Sequence, residues 1–178
     1  DYQKAAYYYR RSNSSHSRLQ LARMHFHKRV KMENETFTKI LKHEADVNNK
    51  ADAANLLGCV AKTEKEATFL FEKATTMDPP NLPVASTNAG IMRMVAADPS
   101  LINLNRTRYF LLKSVLQGDI PAFYWNGKLL LKKNRPIEAF SYLQRAVRYH
   151  VLSVLQKPAL KYYLANKPEQ VVNYYFLM

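Results

Sequence analysis

Cysteine, glycine and long apolar runs are all scarce in this sequence. One cysteine, Cys59, stands among 178 residues, which excludes an internal disulfide framework and a multi-cysteine zinc site. The apolar stretches, such as residues 129–131, are brief and flanked by lysine, far below the roughly 18 residues of a membrane-spanning helix. Only four glycines occur, and apolar and polar residues do not alternate, which favours a mostly helical chain.

Sequence motifs of enzymes and metal sites are also lacking. The phosphate-binding loop, the dinucleotide-binding glycine motif, the serine-hydrolase elbow and the zinc-protease helix motif do not occur. His25 and His27 come nearest to a metal site, but residues two apart on a helix point to different faces. We therefore expect a non-enzyme with no catalytic residue, cofactor, metal or small-molecule substrate.

Positive charge dominates what is present. Lysine and arginine number 27 against 14 acidic residues, which gives a net charge of +13 and a pI near 9.8. The excess is uneven, because residues 1–31 contain eight basic residues and a single acid, Asp1. Such a field attracts anionic partners: RNA, an anionic lipid surface or acidic proteins. The alternative is that proteins of the mitochondrial matrix are often basic without a nucleic-acid ligand.

Residues 1–14 lack helical periodicity and are predicted to form an extended basic and aromatic arm. Tyr8, Arg10 and Arg11 are candidate contact residues in it, because aromatic rings among arginines can stack on bases or occupy a protein groove. The arginine- and serine-rich, acid-poor start also resembles the composition of a mitochondrial transit peptide. We expect a mature arm that follows a cleaved presequence, and a mitochondrial location in or facing the matrix.

Helical periodicity and helix breakers divide the rest of the chain. Residues 15–50 are predicted to form a helix pair, in which Arg18, Arg23 and Arg29 are further candidate contacts for a partner or RNA. The two helices of the pair and the five later helices with predicted ends cover residues 15–32, 34–49, 51–62, 64–77, 84–97, 101–116 and 136–150. A further helix is predicted to begin at Asp119 as its cap, with Pro121 in its first turn and Gly118 ending the helix before.

Residues 151–178 are predicted to form a tyrosine-rich tail of two short helices, broken at Pro158 and Pro168. We predict that it either caps the last repeat or inserts into a partner. The candidate contact residues of this tail are Tyr162, Tyr163, Tyr174 and Tyr175.

Small residues recur in three helix pairs, and two of the pairs keep a seven-residue step on the second helix, although the link between the helices differs in length. The clearest set follows Gly127, and the large apolar residues Phe123, Leu130 and Leu143 accompany it. Glycine or alanine at such positions lets two helix axes approach closely. The predicted repeat-packing residues are Gly58, Ala67, Ala74, Gly90, Ser114, Gly127, Ala139 and Ala146.

In this pattern residues 118–150 resemble a tetratricopeptide repeat and its Sel-like relative. Residues 54–80 and 84–117 resemble degenerate copies of the same unit. The resemblance implies an all-α fold of stacked antiparallel helix hairpins, an α-solenoid over residues 51–150. An array of this kind offers a surface for binding rather than a pocket for reaction.

We predict a non-catalytic scaffold subunit that binds neighbouring proteins within a large mitochondrial complex, such as a respiratory complex or ATP synthase. The alternative is an accessory protein of a mitochondrial ribosome whose basic arm neutralises rRNA phosphates. A peptide-binding adaptor that uses the concave groove of the repeats is disfavoured, because three degenerate repeats form a shallow groove.

Overall fold

The computed structural model describes residues 1–12, 14–80 and 82–153, and this part of the chain is all-α. One short 3-10 helix, Pro99–Leu101, lies between the sixth and seventh α-helices. The α-helices are α1 (Tyr2–Ser12), α2 (Ser15–Phe26), α3 (Asn34–Asp46), α4 (Ala51–Val60), α5 (Glu64–Ala74), α6 (Pro83–Val95), α7 (Leu104–Leu116), α8 (Ile120–Lys132) and α9 (Pro136–Ser153). The predicted tail beyond residue 153 lies outside the described residues.

Consecutive helices pack into hairpins, and the hairpins stack. The pairs are α2 with α3, α4 with α5, α6 with α7 and α8 with α9. Each hairpin contacts the next through α3 and α4, α5 and α6, or α7 and α8, while α2, α4, α6 and α8 also touch in succession. The predicted all-α fold of stacked hairpins is therefore confirmed.

The prediction of an extended N-terminal arm is wrong, because residues 2–12 form α1. Tyr2, Ala5, Ala6 and Tyr9 recur at helical spacing, and alanine is the best helix former. The Asp1 carboxylate accepts hydrogen bonds from the backbone N–H groups of residues 3 (2.9 Å) and 4 (3.2 Å), which caps the helix. Tertiary contact completes it: α1 packs on α2, where Ala6 is fully buried.

The next helix is shorter than predicted, because α2 ends at Phe26 rather than near Met32. Lys28 has a left-handed backbone (φ 57°), and the N–H of Arg29 bonds the carbonyl of Met24 at 2.8 Å. The chain then turns back, so that Val30 is buried beside Ala6 and Leu21 instead of extending the helical stripe.

Helix α7 also begins later than predicted, at Leu104 rather than 101. The Asn103 side chain accepts hydrogen bonds from the N–H groups of Asn105 (3.2 Å) and Arg106 (3.0 Å) and so fixes the start. Residues 99–101 form the short 3-10 helix, whose Leu101 is buried. The remaining predicted boundaries agree with the structure to within about three residues, the usual uncertainty of sequence reading.

None of the described helices has the length and apolar composition needed to cross a membrane. Within the same residues, no three His, Cys, Asp or Glu side chains lie close enough to share a metal ion. His25 is engaged locally instead: its Nδ1 accepts a hydrogen bond from the N–H of Met32 (3.1 Å), and its ring lies 4.9 Å from that of Phe37.

Candidate protein-interaction surface

In three hairpins, a glycine of the first helix lies directly against a large apolar side chain of the second helix. A Cβ atom on Gly58 would lie 2.6 Å from the ring of Phe71, and one on Gly127 would lie 2.7 Å from Leu143. The middle hairpin repeats the relationship, since a Cβ on Gly90 would lie 2.8 Å from Leu111. Real Cβ atoms do not come so close to other heavy atoms, so each glycine makes room for an apolar side chain of the second helix.

The second helix of every hairpin has the same spacing of buried residues. A buried residue is followed four positions later by a large apolar one, and three positions after that by a third buried residue. The sets are Phe37, Leu41 and Glu44 in α3; Ala67, Phe71 and Ala74 in α5; Thr107, Leu111 and Ser114 in α7; Ala139, Leu143 and Ala146 in α9. The array therefore extends N-terminal of residue 51 and includes α2 and α3.

Glu44 occupies a position where α5 and α9 have alanine, and its side chain is fully buried. Burial alone would raise the pKa of Glu44, but hydrogen bonds from Ser15, Arg18 and Asn48 hold that pKa below its usual value. The Arg18 Nε donates to Glu44 Oε1 at 2.6 Å, and the Asn48 amide donates to Oε2 at 2.8 Å. The carboxylate thus joins α2 to α3.

Ser114 occupies the same position in α7 and forms polar contacts with α6, the other helix of its hairpin. Its hydroxyl lies 2.7 Å from that of Thr87 on α6 and 2.8 Å from the carbonyl oxygen of Pro83. The Thr87 hydroxyl donates to the Asp119 carboxylate at 2.5 Å. Asp119 precedes α8 as predicted, but its side chain makes no capping bond to that helix, because it accepts from Thr87 instead.

The structure places Arg18 and Arg23 in ion pairs within the chain. Arg18 pairs with Glu44, and the Arg23 Nη2 lies 2.9 Å from the Asp52 carboxylate of α4. Both side chains are partly buried between helices. They stabilise the stacking of α2 on its neighbours.

The remaining N-terminal cations lie at the surface. Arg11 donates to the Tyr7 hydroxyl at 2.6 Å, and Arg29 lies 5.2 Å from the centre of the Tyr2 ring. Tyr8 is also exposed, and the centre of its ring lies 5.5 Å from that of Tyr7. We define the N-terminal basic surface as the exposed cations that form no ion pair with any described residue: Lys4, Arg10, Arg11, Lys28, Arg29 and Lys31.

A cleft of about 460 Å³ opens within this surface, between α1, α2, α3 and the loop before α3. We define the N-terminal cleft as the space lined by Tyr9, Arg10, Arg18, Leu21, Lys31, Met32, Glu33, Thr36 and Ile40. It combines cationic and apolar side chains from three helices. It exists because residues 2–12 are helical, since an extended arm would leave no such wall.

The candidate tyrosines at positions 162, 163, 174 and 175 lie outside the described residues. Among residues that sequence reasoning did not single out, Lys31, Met32 and Ile40 line the N-terminal cleft. No local signal marks them, because their proximity depends on the turn at Lys28 and the docking of α1. Thr107 was also missed, although its spacing of seven from Ser114 matches that of Ala67 and Ala74.

Comparison with known structures agrees with this architecture. A crystal structure of MamA matches with a TM-score of 0.59 at 16% sequence identity, over 88% of this chain and 92% of that one. A second MamA crystal structure matches with a TM-score of 0.56, also at 16% identity, over 88% of each chain. The fold is a tetratricopeptide-like helical repeat.

The similarity to the MamA structures is one of fold alone, because the sequence identity is only 16%. No family model matches the sequence, and no curated protein is similar enough in sequence to serve as a relative. The repeat is thus present in the packing of glycines against apolar side chains, while its sequence signature is degenerate in most hairpins.

Proposed function

We propose that this protein is a non-catalytic scaffold that binds other protein subunits within a larger assembly. The stacked-hairpin fold supports the proposal, because such arrays present extended surfaces and not enclosed reaction sites. The cations of the N-terminal basic surface form no ion pair within the part of the chain that the structure describes, which favours a partner with an acidic surface.

The segregation of charge is the observation that carries this proposal. Residues 1–31 have eight basic residues and one acid, so they contribute +7 of the net +13. Two of those cations, Arg18 and Arg23, pair with Glu44 and Asp52, whereas the six of the N-terminal basic surface pair with no acid among the described residues. Unpaired like charges on one small helical unit repel one another, and an acidic partner would remove that cost.

We further propose that the assembly is mitochondrial, with a respiratory complex or ATP synthase as the class of host. The basic composition and the arginine- and serine-rich start support this proposal. Fractionation of cells that express the endogenous protein tests it directly. Recovery outside mitochondria would overturn the location without affecting the scaffold proposal.

Native purification followed by mass spectrometry, with and without ribonuclease, tests the scaffold proposal. We expect stoichiometric protein partners that remain after ribonuclease and are lost when Arg10 and Arg11 are changed to glutamine. A protein that purifies alone at physiological salt would contradict the proposal. Anionic and neutral vesicles, compared by co-sedimentation, test an anionic lipid surface as the alternative partner.

A second candidate function is contact with rRNA in a mitochondrial ribosome. Exposed aromatic rings lie beside cations on α1 and next to it, as in the Tyr7–Arg11 and Tyr2–Arg29 contacts. Such pairs can stack on bases while the cations neutralise phosphates. This function predicts a steep fall of RNA affinity with salt, and a smaller slope for Arg10→Gln/Arg11→Gln; a flat salt response would contradict it.

A further inference from the structure

The N-terminal cleft differs from the rest of the basic surface because it has an apolar floor. Leu21 is buried. Met32 is half-buried against the apolar cluster that contains Leu21, and Ile40 is half-buried against the adjoining core. Its volume of about 460 Å³ falls in the range of sites that enclose a small ligand or a few side chains. An exposed patch for general charge attraction needs no such floor.

The charged groups of the cleft are unequal in availability. Arg10 and Lys31 make no ion pair with any described residue, while Arg18 holds Glu44 through its Nε. Among the described residues that line the cleft, Glu33 is the one acidic side chain. Arg10 and Lys31 therefore exceed Glu33 by one positive charge, beside an Arg18 that Glu44 already neutralises.

We propose that the N-terminal cleft binds a segment of a partner protein in which a carboxylate side chain stands next to an aliphatic one. Arg10 and Lys31 receive the carboxylate, and the aliphatic side chain packs on Leu21, Met32 and Ile40. This inference rests on the proposed scaffold function and names the chemistry of one of its contacts.

The chemistry of the cleft favours a peptide over a polyanion. RNA brings a phosphate with every nucleotide, and an anionic lipid surface presents many headgroups, so both would place negative charge against Glu33. A single carboxylate can bind Arg10 and Lys31 while Glu33, which is exposed, stays in water. The apolar floor makes no favourable contact with a phosphate backbone, but it stabilises an aliphatic side chain by removing that side chain from water.

Fluorescence anisotropy with defined peptides tests the proposal on the full chain. The glutamate–leucine probe is a fluorescein-labelled hexapeptide with one glutamate between two leucines and serine elsewhere. Its control, the glutamate–glycine peptide, has glycine in place of both leucines. The cleft variant is Arg10→Gln/Lys31→Gln. Its matched control is Lys4→Gln/Lys28→Gln, which removes the same charge from the same surface but outside the lining of the cleft.

We expect the wild-type protein to bind the glutamate–leucine peptide at least about fivefold more tightly than the glutamate–glycine peptide. The cleft variant should lose about tenfold in affinity, a loss typical of a removed charge-assisted contact, and the matched control less than about twofold at 0.15 M salt. Equal losses in the two variants, or equal binding of the two peptides, would overturn the cleft and leave only general charge attraction. Stronger competition by RNA or anionic vesicles than by unlabelled peptide would also overturn it.

The same variants separate this inference from the scaffold proposal. The four substituted side chains are exposed, so circular dichroism should show the same melting temperature for both variants as for the wild type. If both the wild-type protein and the cleft variant retain their partners in native purification, the proposed peptide contact in the cleft is rejected, but the scaffold function is not. Wild-type protein without partners would reject the scaffold function itself.

Discussion

Gly127 and Leu143 are packed so closely that no side chain fits between them: a Cβ on Gly127 would lie 2.7 Å from Cγ and Cδ2 of Leu143. The glycine lies on α8 and the leucine on α9, so their contact sets how closely these helices approach. Equivalent contacts join Gly58 to Phe71 and Gly90 to Leu111. In each of these hairpins, a glycine opposite a large apolar side chain sets the distance between the two helices.

Gly127→Ala should lower the free energy of unfolding by about 1–3 kcal/mol, because the added methyl group overpacks the helix crossing. Thermal and urea melts followed by circular dichroism measure the loss. The double variant with Leu143→Ala should cost less than the sum of the single variants, since truncation makes room for the methyl group. Ser141→Ala, exposed on α9, is the control, and additive losses in the double variant would argue against this contact.

Glu44→Gln should lower stability at pH 7 by about 1–3 kcal/mol, because a charge-assisted hydrogen-bond network is replaced by weaker bonds. The pKa of Glu44 is below its ordinary value in the folded protein. Its ionised form therefore stabilises the fold above the unfolded pKa, and that stability is lost as pH falls through the folded pKa. The difference between wild type and variant should shrink as pH falls below about 4.

Urea melts of wild type and Glu44→Gln at pH 7, 5 and 3.5 measure this dependence. Glu35→Gln is a suitable control, because Glu35 is exposed in a surface pair with Lys39. A stability difference that stays constant down to pH 3.5 would contradict the assigned role of the carboxylate.

Asp119→Ala should destabilise the stack of α6, α7 and α8 by about 1–3 kcal/mol, because the buried Thr87 and Ser114 hydroxyls lose a hydrogen-bond partner. Asp46→Ala removes an exposed surface pair with Lys73 and should change stability by less than about 1 kcal/mol. Chemical denaturation of the two variants provides the comparison. Similar losses would mean that the Asp119 carboxylate adds nothing beyond a surface charge.

Ala6→Glu should release α1 from α2, because a fully buried methyl group would be replaced by an unpaired carboxylate. We expect trypsin to cut after Arg10 or Arg11 at least about tenfold faster, while the melt of the remaining helices shifts little. Mass spectrometry of limited digests identifies the cuts. Gln3→Glu, on the exposed side of the same helix, should leave the cleavage rate unchanged; an unchanged rate in Ala6→Glu would show that α1 does not depend on this contact.

The clearest sequence signals came from residues that act on near neighbours. Pro136 begins a helix, Pro121 lies in the first turn of another, Gly118 follows the end of a third with φ +78°, and the spacing of Ala139 and Ala146 follows the helical period. These effects depend on a few consecutive residues, so the sequence predicted them. The N-terminal helix was missed because tyrosines between cations were interpreted as an arm, although Ala6 and Tyr9 keep a helical spacing.

Helix spacing, the stacked-hairpin fold and the excess of positive charge followed from the sequence by itself, because each depends on residue type and local periodicity. The tertiary structure alone decided which cations remain available. Arg18 and Arg23 are bound by Glu44 and Asp52, acids 26 and 29 residues away in sequence, while Arg10 and Lys31 form no ion pair with any residue that the structure describes. Pairing between distant residues depends on how hairpins stack, and no local pattern in the chain encodes it.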